Sequence, residues 1–127
     1  KAQRHEERRA WEGGWRYGEG RPSLQAFDLM LLRAGAEIPN ALKRCRGETH
    51  DPFDHISDIL GRLIDAQTMI SAARNPGRYR RLAQIYLSFY DAILQCDPEY
   101  SRDDDARNAL MMRAYLASYD NLVAVER

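Results

Sequence analysis

Net charge is the first thing this sequence lacks. Lysine plus arginine and aspartate plus glutamate number 19 each, so no bulk field draws the chain to nucleic acid or to acidic substrates, and any such binding needs a local patch. No apolar run approaches the ~20 residues that span a bilayer, and no signal-peptide pattern stands at the start. The only cysteines are Cys45 and Cys96, each near the C-terminal end of a predicted helix. Two thiols do not make a disulfide framework, and the expectation is a reduced, cytoplasmic setting. A Ser-His-Asp set, a phosphate loop and a GxGxxG sequence are all missing, and neither cysteine has a histidine near it in sequence. No strand-period segment, internal repeat or low-complexity tract is present. The expectation is therefore no catalytic, cofactor-binding or metal-ligating residue, and no cofactor.

Helical periodicity fills the space these absences leave. Pro22-Ser23 opens a helix in which Leu24, Phe27, Leu31, Ala34, Ile38, Ala41 and Cys45 follow steps of three and four. Gly35 and Pro39 interrupt it and predict a kink or break near residues 35 to 39. Asp51-Pro52 reads as the cap of a second helix, with Phe53, Ile56, Leu60, Leu63, Gln67 and Ile70 on one face and an end at Ala73 or Arg74. Asn75 is expected to cap the third by accepting from the orphan N–H groups of its first turn, with Pro76 at the first helical position, and Tyr79, Leu82, Ala83, Tyr86, Tyr90 and Ile93 recur at helical spacing to about Gln95. Ser101 faces Asp104 at capping-box spacing before a last helix with Ala106, Ala109, Leu110, Met112, Tyr115, Leu116, Tyr119, Leu122 and Val123 on a broad apolar face.

Short connections between such helices favour antiparallel neighbours. The fold class is all-α: a helical bundle of four main helices over residues 23–127, preceded by an arm over 1–22 that carries a short helix and a Gly/Trp-rich loop. In that loop Trp11, Trp15 and Tyr17 are expected to fold back as a lid on the core. Leu82, Tyr86, Ile93, Ile56, Leu63 and Leu110 are the expected core.

Three segments carry residue types that could do chemistry. His50, Asp51, Asp54 and His55 form the densest cluster of metal-ligand types, although helix capping and dipole complementation account for both aspartates. Asp103, Asp104 and Asp105 fit the first turn of a helix and lack the calcium-loop spacing. Arg74, Arg78, Arg80 and Arg81 form the densest basic run, with Tyr79 beside them, and could meet phosphate.

Residues 53 to 95, with paired helices joined at Asn75-Pro76 and the run Arg81-Leu-Ala-x-x-Tyr86-Leu-x-x-Tyr90, resemble the helical domain of the XpaC/TelA group. Its members are named for indolyl-phosphate hydrolysis or toxic-anion (tellurite) resistance. Ser88-Phe89 and Asp91 to Leu94 stand where that group's Leu-Pro pair and Lys-Leu-Leu run would be expected. The resemblance carries over no catalytic residue, and it implies a cytoplasmic helical domain of a membrane-associated protein. The chain opens at Lys1 without a methionine, so the expected membrane association runs only through a segment outside this chain.

The function expected from these readings is a non-enzymatic helical protein–protein interaction domain, an adaptor or subunit of a bacterial membrane-associated or secretion-type assembly. Its partner is another protein or a second copy, and Arg78, Arg81, Met111, Tyr115 and Tyr119 are the candidate partner-binding residues. Polar replacement of Tyr115 is then expected to abolish association and spare stability. A nucleic-acid-binding domain using the Arg74–Arg81 segment, and a metal-dependent hydrolase at His50 to His55, are the alternatives.

Overall fold

A computed structural model describes residues 24–46, 49–67 and 75–126. Among them are four helices and no strand: α1 (Leu24–Arg44), α2 (Asp54–Gln67), α3 (Pro76–Cys96) and α4 (Asp103–Glu126), with a 3₁₀ turn over Asp51–Phe53 leading into α2. The all-α class expected from periodicity is the class observed. The arm over 1–22, its tryptophan lid, Arg74 and the end of the second helix lie outside the described residues.

Long-range contacts set the helix directions. Asp28 meets Arg78 at one end of α1 and α3, and Cys45 meets Cys96 at the other, so these two helices run parallel. At the start of α2, His55 lies 3.6 Å from Glu37 in the second half of α1, and Tyr115 of α4 reaches the Pro76 carbonyl at the start of α3. Both α2 and α4 therefore run against the other two. α1, α2 and α3 pack on one another, whereas α4 has its main contact with α3 alone.

The steps of three and four explain the core. Phe27, Leu31, Ala34, Ile38 and Ala41 of α1, Phe53, Ile56, Leu60 and Leu63 around α2, and Leu82, Tyr86 and Ile93 of α3 are all buried. Phe89, fully buried, extends the α3 face and sets its ring edge-on to Phe53 and Tyr86. Leu110 is a correction, because it is 66 % exposed. Ala109 and Met112 are the α4 residues that enter the core, and one step of ~100° beyond Ala109 carries the next side chain away from α3.

Four local expectations are also corrected. α1 continues through Pro39, which overturns the break but not the kink in that expectation. The proline nitrogen cannot bond the Gly35 carbonyl one turn back, but Gly35 lies where the helices approach closely: a Cβ there would sit 3.3 Å from Ile85 Cδ1. Asn75 caps nothing with its side chain, since its Oδ1 accepts a hydrogen bond from Arg78 Nη1 at 3.2 Å. Asp51 is the first residue of the 3₁₀ turn rather than its cap, and its N–H donates to Thr49 Oγ1 at 3.2 Å. α4 starts at Asp103, with the Ala106 N–H bonded to the Arg102 carbonyl. Ser101 thus stands one residue too early for a capping box, and Asp104 turns to Arg107 instead.

The largest departure is covalent. Cys45 and Cys96 form a disulfide with Cα atoms 5.7 Å apart, within the usual range, where the sequence reading expects free thiols. Each cysteine sits just at or beyond the C-terminal end of its helix, and the parallel course of α1 and α3 brings those two ends together.

Candidate functional site

Among the described residues α4 has one main neighbour, α3, and one side of the helix is open. Ala109 and Met112 are buried, and Tyr115 and Leu116 are packed against the same core. On the opposite side Asp103, Ala106, Arg107, Leu110, Ala114 and Ala117 are exposed in successive turns, with Met111 beside them at 40 % exposure. Asp103, Ala106, Arg107 and Leu110 line an open depression of about 350 Å³. Arg107 donates to Asp104 at 3.0 Å within the first turns, which compensates its charge locally. The strip thus carries Asp103 at its start, Ala106 and Leu110 with the locally compensated Arg107 in the middle, and Arg113 toward its end.

Of the partner-binding residues expected from sequence, Met111 lies beside this strip and the others lie elsewhere. Tyr115 and Tyr119 join Tyr79 in an aromatic stack, with ring centroids 4.3 Å apart for Tyr79 and Tyr115 and 6.1 Å for Tyr115 and Tyr119. Arg80 stands over the Tyr119 ring at 5.2 Å, and the Tyr115 hydroxyl donates to the Pro76 carbonyl at 3.2 Å. Burial raises the Tyr115 phenol pKa, with Tyr119 and Tyr79 adding to the shift. Arg78 faces α1, where its fork holds both oxygens of Asp28, while Arg81 is exposed.

A second polar group joins the other end of α4 to α3. Asp105 accepts hydrogen bonds from Tyr86 through Oδ1, at 3.2 Å, and from Tyr100 through Oδ2. Burial, followed by the negative charge of Asp105, pushes the Tyr86 phenol well above its ordinary pKa. The Tyr100 phenol is pushed up to about 12, chiefly by burial and then by its bond to Asp105. Both phenols therefore stay protonated donors near neutrality, and the trio works as a clamp on the first turn of α4. In the acidic run, Asp105 is taken up by tyrosines and Asp104 by Arg107.

The two histidines separate. His50 packs edge-on against Tyr100 with centroids 4.8 Å apart and places Nδ1 3.6 Å from Asp97, whereas His55 faces Glu37. Among the described residues, no group of three or more His, Cys, Asp or Glu side chains is placed to hold a metal ion. No described helix is long and apolar enough to cross a membrane. The disulfide and the Asp105 clamp are the features missed from sequence. In an up-and-down bundle the first and third helices end on the same side, so two cysteines at those ends were the available signal.

An all-α bundle with one open helix face is thus the class that the geometry defines. No known family model, curated protein or solved structure matches the chain.

Proposed function

We propose that the chain is a non-enzymatic helical interaction domain, an adaptor or subunit that presents the outer face of α4 to a protein partner. The observation that carries this reading is Leu110, a large apolar side chain 66 % exposed on the helix with one main neighbour. Exposed apolar residues rimmed by charge are the usual composition of a docking strip. The acid–base groups at the start of α4 support a structural role, since Asp105, Tyr86 and Tyr100 satisfy one another. The nucleic-acid alternative has thinner support, because Arg78 is held by Asp28 and Arg80 lies on Tyr119.

Membership of a bacterial membrane-associated or secretion-type assembly is part of the same proposal; the XpaC/TelA resemblance supports the membrane association alone. The Cys45–Cys96 bond favours an oxidising, envelope-facing compartment over the cytoplasm, where thiols are kept reduced. The test is recovery of native-host proteins on immobilised wild type and on Leu110→Glu. A specific protein held by the first and lost by the second supports the reading, and no difference between the two columns sinks it.

A further inference from the structure

Resting on that interaction reading, we propose that the partner of the α4 face is a second copy of this chain, packed antiparallel about a two-fold axis. The charge order along the strip argues for this occupant. Asp103 stands at its start and Arg113 toward its end, both exposed, with Ala106, Arg107 and Leu110 between them, and Arg107 is compensated by Asp104 of its own chain. A two-fold axis at the level of Asn108 sets Leu110 of each copy against Ala106 of the other, and brings Arg113 of each beside Asp103 of the other.

Both pairings fall on the same flank of the helix, so one geometry satisfies the apolar and the charged contacts together. An isologous interface needs this self-complementarity, in which each contact occurs twice. A parallel pair would instead place Asp103 beside Asp103 and Arg113 beside Arg113, which costs energy. Ala106, set against Leu110 of the other copy, lets the two backbones approach closely, and antiparallel helix dipoles attract. The chain carries no formal net charge, so no long-range repulsion opposes the pairing. Both cysteines are used within the chain, and the pair is therefore non-covalent.

Sedimentation equilibrium of the full oxidised chain over a wide concentration range tests the proposal. Wild type should dimerise reversibly, and Leu110→Glu should weaken dimerisation by at least roughly tenfold with unchanged helical circular dichroism. Asp103→Arg or Arg113→Asp alone should weaken it less, and the two together should restore it. Nitroxides on Ala117→Cys should sit roughly 25–30 Å apart in the dimer, and those on Arg107→Cys within roughly 15 Å, as helical rise and interaxial distance require. A wild type that stays monomeric, a dimer unaffected by Leu110→Glu, a double charge reversal without recovery, or short distances at both labels would each overturn it. If the monomer still binds a different protein and loses it on Leu110→Glu, self-pairing fails while the interaction reading stands; if it binds nothing, both fail.

Discussion

Arg78 donates through Nε and Nη2 to the two carboxylate oxygens of Asp28, at 2.9 and 3.0 Å across 50 residues of chain. A side chain that sequence spacing marks as a phosphate contact is thereby the clasp between the N-terminal ends of α1 and α3. Both partners keep about a third of their exposure, so solvent screens the pair and it contributes about 1 kcal/mol rather than several. Arg78→Ala and Asp28→Ala should each lower stability by that amount, and the double variant should lose little more. Urea denaturation of the four proteins closes this cycle; fully additive losses would show that the clasp contributes nothing.

The Cys45–Cys96 bond closes a loop with a sequence separation of 51. On the chain-entropy account, a cross-link of that span stabilises by about 4 kcal/mol through the unfolded state. Reduction, or Cys45→Ser with Cys96→Ser, should lower the denaturation midpoint accordingly and leave the helical signal at low denaturant largely intact. Ellman titration under denaturing conditions without reductant should find no free thiol.

Leu63 and Leu110 make a controlled contrast between two leucines of opposite placement. The first is fully buried between helices and the second is 66 % exposed. Leu63→Ala should cost about 2–5 kcal/mol, depending on how far its site collapses. Leu110→Ala, measured at concentrations where the chain is monomeric, should stay within about 0.5 kcal/mol. Equal losses at the two positions would mean that α4 is rotated on α3.

Periodicity made the helices legible because the burial stripe of each is a local property: the steps from Phe27 to Ala41 and from Ile56 to Leu63 name the core directly. Neighbour relations were less legible. The apolar face of α4 is wider than one neighbour can cover, so the pattern could not say whether Leu110 or Met112 faces α3. Pairing of Cys45 with Cys96 depends on α1 and α3 running parallel, a tertiary fact. Capping failed for a related reason: Asn75 and Asp104 had the right chemistry, but Arg78 and Arg107 competed successfully for their oxygens. The candidate site was the least legible part, since an exposed face is defined by what does not pack on it.

Alkaline pH should loosen the clamp at the start of α4. The Tyr100 pKa rises from 10.0 in the unfolded chain to about 12 in the fold, because burial and Asp105 disfavour the phenolate. The folded state thus favours the protonated phenol. Its stabilising contribution is complete below pH 10 and is lost as pH rises through about 12. Phenolate absorbance of wild type compared with Tyr100→Phe should accordingly reveal a phenol that ionises late, and denaturant should bring its titration back down. Tyr100→Phe should reduce the steepness of the stability loss across this range; an unchanged slope would assign that loss to other groups.

Tyr115 offers the sharpest test of whether α4 associates through its aromatic stack or through its outer face. The ring packs on Tyr79 and Tyr119, and its hydroxyl reaches the Pro76 carbonyl, so its contacts belong to the fold of one chain. Tyr115→Phe keeps the stack and removes one hydrogen bond between partly exposed groups, a loss of about 1 kcal/mol or less. Tyr115→Ser removes the ring as well and should cost about 1–3 kcal/mol, in the range of partly buried aromatic packing. Self-association should persist in both variants wherever they remain folded, since Leu110 and its charged neighbours are untouched. The sequence-based expectation is the opposite one, in which polar replacement abolishes association and spares stability. Thermal denaturation read beside sedimentation on Tyr115→Ser separates the two: a stable monomer would place the interface at the stack, and a destabilised chain that still dimerises would place it at Leu110.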